Sequence, residues 1–385
     1  MTTSEDVCAI VPTVRNPDCV REYVANAREF GHADRLHFVL VTEDFCDVAG
    51  MEEMLDEEGV AGEVFGGERR DRWFARRGLG EYADLIPEAS HAETSFGLLY
   101  MYEGGFEYGT FIDDDTRPHP EFDFFGGHLR NLAHEGAVEV VGSDEDWVNV
   151  LYQHDGDLYP RGYPYGAMDE TVETRTERVD DVVVSQGLWT DVPDLDAVRI
   201  LMDGDLQGQA LTRLEREDYD RDFVAAPGDY LTVCSMNLAF RREVVPAFYQ
   251  LPMDDNPWDV GRFDDIWSGV FLKRACDVLG TRVYSGTPLC VHEKAPRSTF
   301  SDLRNEAPAL ELNEHLWKLV DDVGADADSY RGVYRAMAEE LAAGGFDEFE
   351  NGEFLAYVGE HMARWLDCLA ALDAPAAEAR ATADD

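Results

Sequence analysis

Lysine is nearly absent from this chain: it occurs only at positions 273, 294 and 318, and arginine supplies nearly all of the positive charge. Basic residues of any kind are scarce, 32 against 80 acidic ones, which leaves a formal net charge of −48 with the acids spread along the whole length. Such a surface repels nucleic acid and anionic membranes at ordinary ionic strength, so no nucleic-acid partner is expected. An acid-rich, lysine-poor balance suits a protein that stays dissolved in concentrated salt, where repulsion is screened within a few ångströms. A halophile's cytoplasm is the simplest host.

Paired cysteines are missing too. The seven cysteines (8, 19, 46, 234, 276, 290 and 368) are odd in number, form no CxxC pair and sit partly in apolar strand-like runs, so they read as reduced core residues. No stretch of about 18 apolar residues occurs, and the start, MTTSEDVCAI, has no basic region leading into an apolar run. Neither a membrane span nor a secretory leader is expected, which points to a cytoplasmic protein. Internal repeats are absent.

What is present is a chain of 385 residues with 45% apolar side chains, enough for a large core and an appended smaller unit. In the first half, apolar β-rich runs alternate with helical patterns: CAIVPTV, a helix from about Pro17 to Phe30, LHFVLV, a helix near Met51 to Glu58, a helix from about His91 to Glu103, then GTFI. This is a βαβ rhythm, and in open α/β sheets ligands bind beyond the carboxyl ends of the strands. From Val138 to Asp229 the pattern loosens into short strands and turns, with a charged insertion, Asp169 to Asp181, expected to face solvent. Helices are expected at about Arg241 to Gln250 and Ile266 to Leu279, and helical segments dominate beyond Ser301. The expected organisation is an α/β domain over residues 1–300, a helical extension over 301–375 and a frayed tail over 376–385.

Four places concentrate chemistry. An apolar strand delivers Asp113-Asp114-Asp115, where the first and third carboxylates suit a hard divalent cation bridging phosphate oxygens; in so acidic a chain the triplet alone is also what chance and a solvated turn would give. His292 ends the run TPLCV and precedes Lys294, one of the few lysines retained, as expected if imidazole completes a metal shell and an ammonium meets a diphosphate. Asp264 and Asp265 precede a helical run, as an N-cap pair or as carboxylates placed to bind sugar hydroxyls or act as a base. Arg161 lies in the aromatic, turn-rich phrase YPRGYPYG.

Taken in order, these phrases resemble the reversibly glycosylated polypeptide family, known in plants as UDP-arabinopyranose mutases. IVPTVRN (Ile10 to Asn16) is similar to the family's opening strand and loop, and FIDDD to its aspartate triplet. RGYPYG resembles RGYPFS, GLWTDVPDLDA the GLW phrase ending in NIPDYDA, MNLAF its own counterpart, GRFDDIWSG the phrase GRYDDMWAG, and VHEKA the phrase WHSKA. The likeness runs from about Val7 to Phe300. It implies a GT-A-like (Rossmann-like) fold that binds a UDP-sugar through Mn²⁺ or Mg²⁺, with Asp113, Asp115 and His292 as metal ligands. It implies nucleotide-sugar contacts at Pro12, Thr13, Arg15, Glu43, Asp114, Trp189, Asn237 and Lys294. Catalytic roles fall to Asp264, Asp265 and Arg161, the last matching the arginine that becomes glycosylated.

Three stretches depart from the family pattern, one of them the loop TRPHP after the aspartate triplet, where the family has CFVAKDP. SHAETSFGLLY (Ser90 to Tyr100) stands where the family has a Cys- and Arg-rich segment and keeps only the Phe-Gly core, and GERRDRWFARRGLGEY has no match. The leading function is therefore a UDP-sugar pyranose/furanose mutase. The alternative is transfer to a lipid-phosphate or surface-glycan acceptor, for which Arg69 to Arg77 would be the groove; a third is a non-catalytic sugar-nucleotide-binding subunit. Homo-oligomerisation is left open.

Overall fold

The computed structural model describes residues 6–168 and 170–374. The apolar runs of the first half pair as parallel strands β1 (Val7–Pro12), β2 (Leu36–Val41), β3 (Ala61–Phe65) and β4 (Tyr108–Ile112), in the spatial order β3-β2-β1-β4. Helices α1 (Cys19–Phe30), α2 (Val48–Glu58), α3 (Gly67–Arg76) and α4 (Glu93–Gly104) make the crossovers. Parallel strands need such crossovers, and their near-continuous apolar sequences reflect burial on both faces. The Phe-Gly core of α4 has a packing reason: a Cβ on Gly97 would fall 2.3 Å from Ile10 Cγ2, so only glycine lets the helix lie on β1.

Beyond β4 the sheet becomes mixed. The elements are β5 (Thr116–Pro118), α5 (Phe124–Leu132), β6 (Gly136–Ser143), β7 (Trp147–Val148), β8 (Val172–Val179), β9 (Val182–Asp191), α6 (Ala197–Asp203), β10 (Phe223–Ala225), β11 (Tyr230–Leu231), β12 (Asn237–Arg241), α7 (Asp264–Leu279) and β13 (Arg282–His292). From β4 the order continues β12-β9-β13-β10-β6-β8, with β12 antiparallel to both neighbours and β9 parallel to β13. The carboxyl ends of β1, β4, β9 and β13 thereby share one side of the sheet. The α/β class expected from sequence is what the chain adopts.

The C-terminal helices α8 (Thr299–Val320), α9 (Tyr330–Ala342) and α10 (Glu353–Asp373) pack onto the same continuous core, which runs from Val7 to Leu369. Trp365 of α10 stacks on Tyr249 at 4.9 Å between ring centroids and donates its indole N–H to Val245 O. The free cysteines are buried except half-buried Cys46. Among the described residues no helix is long and apolar enough to cross a membrane.

Some local expectations fail. The helix expected over Arg241–Gln250 is only a 3₁₀ turn at Arg242–Ala247, because Pro246 removes a donor and Val244 and Val245 are poor helix formers. Asp264 and Asp265 are not N-caps: they lie in the first turn of α7, whose cap residue is Phe263. The loose segment contains β9, ten residues long and buried at nine of them, in the centre of the sheet. The charged insertion is solvent-facing but forms the edge strand β8. Lys273, in the helical run that becomes α7, is buried and bonds Asp277 at 2.6 Å and Ala226 O at 3.2 Å. The tail at 376–385 lies outside the described residues.

Candidate active site

Where those strand ends meet is a cavity of about 330 Å³. Pro12, Arg15, Asp113, Asp115, Arg161, Asp264, Asp265, His292 and Lys294 line it. Strand register explains the assembly. β5 folds back antiparallel on β13 and sets His292 opposite Thr116, directly after the aspartate triplet. β9 sets Asp191 beside His292 on its other flank.

The triplet divides by direction. Asp114 turns to Arg15, which holds it with two bonds of 2.9 and 2.6 Å, and to the Thr13 hydroxyl at 2.7 Å. Asp113 and Asp115 face the cavity. No hydrogen-bond donor or cation among the described residues meets the Asp113 carboxylate, and burial together with the charges of Asp115, Asp265, Asp114 and Asp194 raises it well above the usual range. His292 donates Nδ1–H to Val192 O at 2.7 Å, which leaves the Nε2 lone pair 3.9 Å from Asp115 Oδ1; burial lowers the imidazole, so it is neutral. A backbone bond at Nδ1 that fixes the ring and frees Nε2 is how metal-binding histidines are held. Among the described residues no three His, Cys, Asp or Glu groups converge as a closed metal shell does. The donor types nonetheless fit a divalent ion, two carboxylates and a neutral imidazole along one wall.

Opposite lies Arg161, only 9% exposed. Its Nε donates to Asp194 Oδ2 at 3.0 Å, Nη1 and Nη2 each reach Asp265 at 3.2 Å, and Nη1 also bonds Arg262 O. Burial alone would lower this guanidinium; Asp194 and Asp265 reverse that and hold it protonated. Burial would likewise raise Asp194, yet Arg161 and then Lys294 keep it well below the carboxylate range. Two local devices fix the loops. Gly162, at φ +89°, passes where a Cβ would fall 2.3 Å from Ile266 Cγ2, and Arg262 takes φ +63° while its Nε donates to Glu306 of α8 at 2.7 Å.

Lys294 is 5% exposed and lines the same cavity, and no hydrogen-bond or ion-pair partner for its ammonium exists among the described residues. Burial lowers it, with Asp194 pulling the other way.

Other expected binding residues are elsewhere. Trp189 lies in the core, 1% exposed, and its carbonyl accepts from Tyr219. Asn237 spends its amide on Leu188 O and Pro288 O, both at 2.9 Å, and its oxygen on His128 at 2.8 Å, so it is a core hub and not a cavity residue. Glu43 is buried against Arg70 at 3.0 Å and accepts Ala89 N–H at 2.6 Å; Glu93, pushed up to about 10 by burial and its bond to Glu43, stays protonated beside it.

Sequence reasoning missed Asp194, although it lies inside PDLDA, and it missed Arg262, Ser235, Arg297 and His91, all on the cavity wall. Asp194 gave a weak signal as an acid in an otherwise apolar, proline-bounded phrase. The arginine-rich stretch is α3. Arg69 pairs with Glu52 and Glu63, Arg72 with Glu68 and Arg77 with Glu103, around a separate hollow of about 370 Å³ that shares no lining residue with the site.

Comparison with known proteins bears on this site. Residues 107–372 match the model of the family described as reversibly glycosylated polypeptide. A probable UDP-arabinopyranose mutase 1 from Pisum sativum is 29% identical over 321 residues, covering 81% of this chain and 76% of the relative. UDP-arabinopyranose mutase 2 from Arabidopsis thaliana is 26% identical over 393 residues, covering 98% and 95%. Among solved structures, glucosyl-3-phosphoglycerate synthase from Mycobacterium tuberculosis with Mn²⁺ and UDP aligns at TM-score 0.40 and 10% identity, over 80% of each chain. A mannosyltransferase from Pyrobaculum calidifontis with GDP-Man and Mn²⁺ aligns at TM-score 0.38 and 15% identity, over 97% and 87%. The family match covers more than half of the chain, from β4 through α10, and takes in the aspartate triplet, Arg161, Asp264, Asp265, His292 and Lys294: the protein belongs to the reversibly glycosylated polypeptide family.

Proposed function

We propose that the protein is a UDP-sugar mutase that interconverts pyranose and furanose forms in this cavity. The observation that carries the reading is a pair of buried groups on one cavity that no hydrogen bond or ion pair among the described residues satisfies: the Asp113 carboxyl and the Lys294 ammonium. A divalent ion on a diphosphate satisfies both at once. Asp113, Asp115 and Nε2 of His292 are the groups that would hold Mn²⁺ or Mg²⁺. Such an ion, when bound, supplies charge neutralisation for the diphosphate leaving the anomeric carbon.

The protein's own groups do the rest. Lys294 meets a diphosphate oxygen with a charge-assisted bond, strong because both partners are desolvated. Arg161 locks Asp265 and Asp194 in place, and its protonation makes it a poor nucleophile; the geometry favours a positioning role over service as sugar acceptor. Asp264, half-buried at the N-terminal turn of α7, is the carboxylate free to bind a sugar hydroxyl or take its proton. No observation favours transfer to an outside acceptor, since Arg69, Arg70, Arg72 and Arg77 are engaged with neighbouring acids. Composition supports a cytoplasmic, salt-adapted setting.

The names of the relatives make UDP-arabinopyranose the first substrate to test. Purified protein with Mn²⁺, this substrate and no acceptor is expected to form UDP-arabinofuranose, resolved by chromatography; no furanose form, or only free sugar, would overturn the reading. UDP is expected to raise the melting temperature in Mn²⁺ and much less in chelator, and Asp113→Asn is expected to erase that difference.

A further inference from the structure

Ring exchange has a proton balance independent of any enzyme. In the pyranose O5 closes on C1 and O4 carries a proton; in the furanose O4 closes on C1 and O5 carries it. One group must take a proton at O4 and another must give one at O5. Asp264 can serve as the first. The second role is unfilled by the residues already discussed, since Arg161 is locked and His292 is neutral with its free nitrogen toward Asp115.

With Lys294 committed to the diphosphate, His91 is the imidazole acid on the cavity wall. It belongs to SHAETS, which departs from the family's phrases, and it precedes the span matched by the family model. It is nonetheless built in. Its backbone N–H donates to Asp254 Oδ2 at 2.8 Å, its Nδ1 lies 3.6 Å from Asp254 Oδ1, and its carbonyl accepts the Thr94 hydroxyl at 3.3 Å in the first turn of α4. With Nδ1 turned to Asp254, Nε2 has no partner among the described residues. The charged groups facing the ring are Asp254, Asp264 and Arg262; the ion pair with Asp254, then the Asp264 charge, favour imidazolium, although solvent at this exposed position screens part of that pull.

We propose that His91 and Asp264 form the proton relay of ring exchange, Asp264 as base toward O4 and His91 as acid toward O5; the inference rests on the mutase reading. Departure of UDP with the electron pair of its C1–O bond leaves C1 electron-deficient and bonded to O5. O4 loses its proton to Asp264 and closes on C1. The C1–O5 bond then breaks with its pair going to O5, which takes the proton of His91 Nε2. UDP returns to C1, and a proton passing from Asp264 to His91 resets the pair. No other reactant is consumed.

The test separates this step from cleavage of the bond to UDP. UDP-arabinopyranose labelled with ¹⁸O at the oxygen between C1 and phosphorus scrambles the label into non-bridging positions whenever that bond breaks and reforms. Wild type is expected to scramble the label and to form the furanose. His91→Asn, checked by its UDP-induced melting shift, is expected to scramble within about threefold of wild type while ring exchange falls about 100-fold or more, the lower end of general acid catalysis. Ring exchange retained in His91→Asn overturns the inference and leaves the mutase reading standing. Scrambling and exchange lost together also overturn it, because His91 would then serve UDP cleavage. Wild type that does neither removes the mutase reading and the inference with it.

Discussion

Helix α3 and the loop carrying Arg161 both bring arginine next to aromatic rings and carboxylates, but the two places differ in who holds the charge. On α3, Arg72 pairs with Glu68 across one helical turn with 57% and 78% of their side chains exposed, and Arg77 lies over the Trp73 ring at 4.0 Å while bonding Glu103. Around Arg161, the arginine and both carboxylates are buried, and the acids come from a loop after β9 and from α7. In a chain with 80 acidic residues, most of the described arginines pair with a carboxylate, so arginine density alone marks nothing. Burial of the carboxylates with it is what marks the site, because charges leave water only where compensation is built in.

The sharpest way to break this contrast is Arg161→Ala. Leaving Asp194 and Asp265 buried without their cation is expected to cost about 3–5 kcal/mol of stability, read by urea unfolding, and to abolish turnover. A mutant as stable as wild type would mean that water already compensates the two acids. Lys294→Ala comes next: loss of a desolvated phosphate contact is expected to weaken UDP binding by about 1.5–3 kcal/mol in calorimetry, with the fold intact. Lys318→Ala, on the open side of α8, is the silent control; Lys273 is unsuitable because it is buried against Asp277.

Acidity offers a third test. Asp264 is pushed up to about 6 by burial, with His91 pulling it down and Asp265 raising it further. As a base it works only when deprotonated, so turnover is expected to rise with pH to about 6 and, below that, to fall about tenfold per unit. A profile flat down to pH 4.5 would remove Asp264 from the proton balance. The smallest effect is expected on α3, where Arg72→Ala is expected to change stability by less than about 0.5 kcal/mol and to leave turnover unchanged. A large loss of activity there would revive the acceptor groove.

Much of the fold was legible because its signals are local. VCAIVP, LHFVLV and YGTFI are strands by composition, and the helices between them impose parallel pairing. The 3₁₀ turn at Arg242–Ala247 departs from the expected helix because of Pro246, and the buried strand β9 is longer than the short strands expected in that segment. In the site, the strand-end residues, the start of α7 and the loop residues Arg15, Arg161 and Lys294 were found, whereas the loop residues Asp194, Arg262, Ser235, Arg297 and His91 were not. Asn237 and Trp189, prominent in the sequence phrases, turned out to brace the core beneath the cavity.

The sequence by itself determined the acid-rich surface, the α/β class, the side of the sheet on which chemistry lies and the residue types gathered there, because each depends on composition or on periodicity over a few residues. Only the tertiary structure decided which charges are satisfied. Arg161 meets Asp194 across 33 positions and Asp265 across 104, Arg262 is braced by Glu306 of the C-terminal helices, and Asp113 and Lys294 are left facing the cavity with no partner among the described residues. Charge compensation is a property of distance and burial, and in a chain so rich in carboxylates nothing short of the folded geometry says which carboxylate a given cation has claimed.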